Sequence, residues 1–294
     1  KRVLLIISYH PEFPTFYDQI KGVKSGLVES GIARNDFVVD VEFMDTKRFA
    51  PKEVIPRFHE TLEHKMSALP PYDVVITADD NATQFAIENQ ASLLKNLPIV
   101  FLGVNNVKFA LAQNANPLVS GVIEAVSIGE TLKLIALLRP DTDKPIIISD
   151  TTPSGRGDLQ SLLTRHPNLD GRVLSLESLS HGELRSSLAK LPSSSNILLL
   201  SAYRDHTGVS IPFDDHFSEI VKVLKGPIFH LWQHGFGDGV FAGVVINHFA
   251  QGRTAGQMAG EILNGAAISE LRVVEQSPNL VMIDHVLMKK FGVD

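Results

Sequence analysis

DVVITADDN, residues Asp73–Asn81, decides the fold: an apolar run of strand length stops at two carboxylates and an amide. The same figure recurs five times. VLLIIS (3–8) runs into Tyr9-His10, PIVFLG (98–103) into Asn105-Asn106, PIIIS (145–149) into Asp150-Thr151-Thr152, NILLLS (196–201) into Tyr203-Arg204-Asp205, and PIFHLW (227–232), which ends on Trp232, into Gln233-His234. Short apolar runs without alternation are what a parallel sheet, covered on both faces, requires. In open α/β sheets ligands bind outside the carboxyl ends of the strands. The polar residues at these six stops, including Asp79, Asp80 and Asn81, are therefore the first candidates for a ligand site.

Between the runs the pattern turns helical. Strands are expected near 3–8, 37–44, 73–77 and 98–102, with helices near 13–30, 51–68 and 80–95, a βαβ series that calls for a parallel sheet. The alternation restarts at about 128. Helix 129–138 leads to strands near 145–149, 172–176, 196–200 and 227–231, with helices near 155–165, 181–190 and 214–224. After a strand at 240–246, residues 247–264 carry Ala250, Ala255, Met258, Ala259 and Ile262 on one side and Gly265 as a C-cap, followed by a short strand LRVVEQ (271–276) and a helix at 284–291. This predicts an α/β protein of two doubly wound, Rossmann-like lobes: 1–125 completed by 247–294, and 126–246. Crossings near 122–128 and 241–250, and a third near 276–282, would form a multi-strand hinge, and a cleft at a domain interface is a usual place for a small ligand.

Composition narrows the function. The 294 residues fit two domains. A net charge of −6 without a basic cluster argues against nucleic acid. With no cysteine, thiol catalysis, zinc–thiolate sites and disulfides are excluded. No apolar run reaches the roughly 18 residues of a membrane span. The start at Lys1 suggests that a preceding segment has been removed.

Each cluster has a chemical reading and a plainer one. Pro11 and Pro14 hold off the first helix and leave Tyr9 and His10 on a loop, as a cleft wall or as a stiffened connector. Of Asp79, Asp80 and Asn81, one is expected to cap the helix that follows, leaving two to meet a ligand ammonium; a metal would need further oxygen ligands at regular offsets, and none follows. Asn105 and Asn106 can donate and accept, which suits small zwitterions or sugars, and Thr151 and Thr152 precede a helix start that could take a carboxylate; both sets also suit turns and caps. Arg204 offers a planar fork for a carboxylate, or a partner for Asp205. GFGDG (235–239), after Trp232-Gln233-His234, lacks the dinucleotide spacing and reads as a hinge or a close backbone approach. His59 and His64 stand five positions apart, not the four of a zinc-protease helix. Neither a cofactor nor a metal is expected.

Taken together, SYHPEFP, VEFMDTKR, TADDNATQF, PIVFLGVNN, GVIEAVSIGETLKLI, ISDTTPSG, SAYRD, the W-x-x-x-x-G-x-G-x-x-x-G run of Trp232–Gly243, QGRTAGQMAGEILNG and DHVLMKKFGV resemble the extracytoplasmic sensor domains of bacterial membrane sensor histidine kinases of two-component systems. That family is similar to the tryptophan-type substrate-binding proteins of ABC transporters. The resemblance implies the type I periplasmic-binding fold, ligand binding without catalysis, a periplasmic or extracytoplasmic location, anchorage by flanking membrane segments beyond Asp294, and a possible homodimer. It places the ligand at Tyr9-His10, Asp79-Asp80-Asn81, Asn105-Asn106, Asp150-Thr151 and Tyr203-Arg204-Asp205. Two departures fall where a ligand side chain would be read: Phe16, where the family often has Trp, and the histidine-rich Trp232-Gln233-His234.

Three functions follow. The first is a sensor domain binding a small molecule; the second is a free solute-binding protein of an ABC importer for an amino acid or similar solute. The third is an enzyme using Asp79 and Asp80 with His10 or His234, which has no nucleophile or metal frame around it. For the first two, the ligand is expected to be an amine- and carboxylate-bearing molecule, with Asp79 or Asp80 on its ammonium and Arg204 with Thr151 on its carboxylate.

Overall fold

A computed structural model describes residues 1–13 and 15–293. Pro14 and Asp294, on which two expectations fell, lie outside the described residues. The chain divides into two compact units, Lys1–Ala125 with Asn247–Pro278, and Val126–Ile246 with Asn279 onward.

The first unit runs β1 (Arg2–Ile7), α1 (Phe16–Glu29), β2 (Val38–Phe43), α2 (Pro51–Ala68), β3 (Val74–Ala78), α3 (Asp79–Glu88), β4 (Ile99–Val104), α4 (Val107–Ala112) and β5 (Val119–Ile123). Its sheet is parallel in the order β2-β1-β3-β4-β5, with Leu5 in register with Val41 on one side and Ile76 on the other. The apolar runs face two cores in alternation. Leu4, Ile6, Val75 and Phe101 pack with Phe58, Leu62 and Phe85 of α2 and α3. Val3, Leu5, Ile7 and Ile76 pack with Val23 and Leu27 of α1. Full burial of each such side chain contributes about 1.5–3 kcal/mol, which is why the runs show no polar alternation.

The second unit continues with α5 (Ile128–Leu138), β6 (Ile146–Ser149), α6 (Pro153–Arg165), β7 (Val173–Ser175), α7 (His181–Ala189), β8 (Ile197–Leu199), α8 (Phe213–Val223), β9 (Ile228–His230) and β10 (Val240–Val245). The chain then returns to the first unit as α9 (His248–Leu263), and closes in the second with β11 (Leu280–Ile283) and α10 (His285–Phe291). The order β11-β10-β9-β8-β6-β7 is parallel except at β10–β11. Ile147, Leu198, Phe229 and Phe241 face one core, and Ile148, Leu199, Ile228 and Val240 the other.

α9 completes the first unit through glycines. A Cβ added to Gly22 or Gly26 of α1 would stand 2.1 Å from the carbonyl oxygen of Phe249 or Arg253, and one on Gly252 or Gly256 of α9 would stand 2.3 or 2.2 Å from that of Gln19 or Val23. The two helices therefore meet backbone to backbone, and no residue with a side chain fits there. Glu29 Oε2 accepts from Arg253 Nε at 2.6 Å and Gln257 Nε2 at 2.8 Å, which fixes the register of the pair.

Several expectations change. The closing segment, expected in the N-terminal lobe, pairs through β11 with β10, and Leu287, Met288 and Phe291 pack on the second unit's core. LRVVEQ is a single bridge at Val274 beside Val122, not a strand, although Val273 and Val274 each meet a core of the first unit. The helix expected over 80–95 stops at Glu88, where Asn89 turns its amide back to the Phe85 carbonyl and the chain passes through left-handed Lys95 and Asn96. Gly235, Gly237 and Gly239, expected at a hinge, form the turn before β10 inside the second unit.

Candidate functional site

In the first sheet β1 lies between β2 and β3, so the order in which strands are added reverses at β1/β3 and the connections leave to opposite sides. That is the switch point where an open α/β sheet receives a ligand. Ser8 ties the two loops. Its backbone N–H and its hydroxyl both donate to the Ala78 carbonyl, at 3.1 and 2.8 Å, and its hydroxyl accepts from the Ala82 N–H at 2.9 Å. Ser8 thus serves the start of α3, the capping role expected of Asp79, Asp80 or Asn81. Asn81 instead donates to Thr46 Oγ1 at 3.0 Å.

Asp79 is the consequence. It is the first residue of α3, 6% exposed, with φ at 71° in the left-handed region that side chains avoid. Gly103, also left-handed, makes room for it: a Cβ there would stand 3.3 Å from Asp79 Oδ1. Asp79 Oδ2 has no hydrogen-bond partner. Burial, then the charges of Glu124 and Asp80, push its carboxyl well above the usual range, against the weaker pull of Lys47 and Gln19. Asp80 accepts from the Asn106 N–H at 3.3 Å and is raised chiefly by burial.

Glu124, directly after β5, was not foreseen. It is 8% exposed; Oε1 accepts from Asn105 Nδ2 at 2.8 Å, whereas Oε2 closes no hydrogen bond and lies 3.7 Å from His248 Nδ1. Burial raises its carboxyl to about 7, while Asn105 and Gln251 pull the other way. Burial also holds His248 down at about 4, so at neutral pH it offers no positive charge to Glu124. Gln19 of α1 and Gln251 of α9 are fully buried; neither amide atom of Gln19 nor Oε1 of Gln251 closes a hydrogen bond of good geometry, although Gln19 reaches toward Asp79. The signals were present in the sequence: VSGVI stops at Glu124 as the other strands stop at theirs, and each Gln stands on the core-facing side of its helix.

Tyr9 packs against Phe13 with ring centroids 4.5 Å apart, Lys47 lies 4.7 Å over its ring, and burial with the nearby carboxylates raises its hydroxyl pKa. His10 Nδ1 is 3.9 Å from Asp45. Asn106 caps α4 by accepting from the Phe109 N–H at 3.1 Å. At this switch point the protein gathers Tyr9, Asp79, Asp80, Asn105, Glu124, Gln19, Gln251 and His248, with several buried polar atoms unsatisfied.

The second sheet reverses at β6/β8, and there the polar residues satisfy one another. Asp150 Oδ1 accepts from the backbone and hydroxyl of Thr152 at 2.9 and 2.5 Å; Oδ2 accepts from the Ser201 hydroxyl and the Tyr203 N–H, each at 2.7 Å. The start of α6, expected to take a ligand carboxylate, is thus filled by the chain's own. Arg204 donates from Nε to Thr151 Oγ1 and from Nη2 to the Thr151 carbonyl, both at 3.1 Å, so its fork holds its own loop in place. Asp205 binds the backbone and hydroxyl of Thr207 and the Val209 N–H, and these bonds keep its carboxyl below the usual range. Tyr203 is more than a third exposed, beside Phe213. Trp232 lies against His230 and His234, whose Nε2 atoms are 3.0 Å apart; burial first, then the charge of His234, lowers His230 to about 3. Among the described residues no cluster of His, Cys, Asp and Glu could hold a metal ion, and no helix is long and apolar enough to cross a membrane.

The sequence profile of the ABC transporter substrate-binding proteins matches residues 4–294. The chain belongs to this family. Its members bind solutes without transforming them and are typically extracytoplasmic. Solved structures agree in fold. A ligand-free, open substrate-binding protein with adhesive properties from Clostridium difficile is 18% identical over 100% of this chain and 95% of that one, with a TM-score of 0.73. An ABC domain in complex with L-Trp from Streptococcus pneumonia is 19% identical with the same coverage and a TM-score of 0.61. A conserved domain protein from Vibrio cholerae is 17% identical, again over 100% and 95%, with a TM-score of 0.64. No curated protein matches significantly. The family match favours a substrate-binding protein of an ABC transporter over the sensor kinase domain that the sequence motifs had put first.

Proposed function

We propose that this substrate-binding protein delivers a small polar solute of amino-acid size to an importer and holds it at the carboxyl-end cluster of its first unit. One observation carries the reading. Asp79 Oδ2, the Gln19 amide, Glu124 Oε2 and Gln251 Oε1 are buried at the switch point and close no hydrogen bond of good geometry, Gln19 only reaching toward Asp79 and Gln251 toward Glu124. An unsatisfied buried polar group costs about 1–3 kcal/mol, and a fold retains several together where a ligand satisfies them. The complex of the Streptococcus neighbour with L-Trp supports an amino acid as the class of solute.

The reading is tested by thermal shift across amino acids, purines, sugars and dicarboxylates, with the wild type and Asp79→Asn side by side. A solute at 100 times its Kd adds about 2.7 kcal/mol of apparent stability. The true ligand should stabilise the wild type and lose that effect in Asp79→Asn. A solute that stabilises both proteins equally would remove the first-unit cluster from the site.

A further inference from the structure

Resting on that reading, we infer that the cluster takes up its solute by exchange, a protonated amine entering as a proton held by Asp79 or Glu124 leaves. The carboxyl groups of Asp79, Asp80 and Glu124, at the ends of β3 and β5, all meet the end of β4: Gly103 lies against Asp79, the Asn106 N–H donates to Asp80 and Asn105 Nδ2 donates to Glu124. The groups facing them, element by element, supply little positive charge. From the loop after β1 comes Tyr9, a neutral phenol; from the loop after β2 comes Lys47, exposed and lying over the Tyr9 and Phe13 rings. From the loop after β4 comes Asn105, and from α1 come Gln19 and, facing His248, Asp18. From α9 come Gln251 and His248, whose imidazole burial keeps neutral at pH 7.

Buried carboxylates that feel one another's charge do not all ionise, and at neutral pH such a pair retains a proton. An alkylammonium brings one positive charge and three N–H donors, and Asp79 Oδ2, Glu124 Oε2 and the Gln19 amide oxygen close no hydrogen bond of good geometry, although the Gln19 and Gln251 amides reach toward Asp79 and Glu124. When it enters, a carboxyl O–H bond breaks, its proton passes to solvent water, and the ammonium keeps all its own protons. The charge of the filled site equals that of the empty one, so no unpaired ion stays buried. A neutral sugar would leave the proton in place, and a carboxylate would meet like charge.

The experiment is calorimetry on the wild type with standard L-amino acids, their decarboxylated amines and their deaminated acids, in phosphate and in MES at pH 6, with affinity followed from pH 5 to pH 8. Amine-bearing probes should bind and deaminated acids should not. About one proton should be released per ligand at pH 6, read from the difference in heat between the buffers. Affinity should rise about tenfold per pH unit at the acid end and level off once the carboxyls ionise. Glu124→Gln, which is isosteric, should still bind amines with a flatter pH profile. Deaminated acids binding as tightly as their parents, or amine binding with no proton release anywhere in the range, would overturn the inference. Failure of every amine probe would overturn it too; a sugar that then bound, and lost its binding in Asp79→Asn, would leave the solute-binding reading intact.

Discussion

Replacing Glu124 with Gln should stabilise the ligand-free protein at alkaline pH and leave it nearly unchanged in acid. Burial moves this carboxyl from an ordinary value of 4.5 to about 7. Between those values the folded state binds more protons than the unfolded chain, so stability falls as pH rises through the window and stays lower above it. A shift of that size amounts to about 3 kcal/mol at 1.36 kcal/mol per unit. Gln keeps an oxygen for Asn105 Nδ2 and removes the charge. The difference in stability between variant and wild type should therefore widen by about 3 kcal/mol from pH 4.5 to pH 8. For a unit of this size, at about 2–4 °C per kcal/mol, that is a gain of about 6–12 °C in the first unit's transition. Scanning calorimetry at the two pH values, without solute, reads it directly. If the two proteins melt with the same pH dependence, Glu124 is not held protonated by its surroundings and the reasoning fails.

Gly256→Ala puts a methyl 2.2 Å from the Val23 carbonyl oxygen; α9 must move off α1, at a cost of about 1–3 kcal/mol, seen as a lower denaturant midpoint, whereas Gly265→Ala, in open space, should lose only what its positive φ imposes. Asp150→Ala strands the Ser201 hydroxyl and the Tyr203 N–H and should destabilise the second unit by several kcal/mol in urea titration, more than any other carboxylate of the candidate set. Arg204→Ala should cost about 1–2 kcal/mol of stability for its bonds to Thr151 while solute affinity stays within about threefold; a hundredfold loss of affinity would return Arg204 to the site. His230, neutral when folded, titrates near 3 rather than 6.5, so the unfolded chain binds more protons as pH falls below 6.5 and this histidine costs the second unit stability in acid; His230→Gln should lose less stability than the wild type between pH 7 and pH 5 in urea titration.

The strands were legible because burial on both faces demands uninterrupted apolar runs, and the residues that end them mark the carboxyl edge wherever the run is clean. β5 escaped because Ser120 and Gly121 break its run, Gly121 because a Cβ there would strike the Phe101 carbonyl and ring, and with it went Glu124. α4 is too short to display a period. β11 hid because it is an edge strand, its residues alternating between half-buried and exposed, and antiparallel pairing has no signature in four apolar residues. Within the candidate set the sequence named residues but not their duties. Asp79 and Asp150 follow apolar runs alike, yet one is left unpaired by Ser8 and the other is saturated by its own loop, a difference made by residues far away in the chain.

The glycine seam between α1 and α9 also orders events in time. The partner of α1 is encoded more than 200 residues downstream, so on a ribosome the first unit emerges with the Gly22–Gly26 face of α1 bare and waits for α9. At 5–20 residues per second, the roughly 140 residues between Ala125 and Leu263 take about 7–30 s to synthesise. Throughout that interval a nascent chain exposes a groove floored by backbone and lined by apolar side chains, a surface that a holding chaperone can recognise and that the finished protein no longer presents.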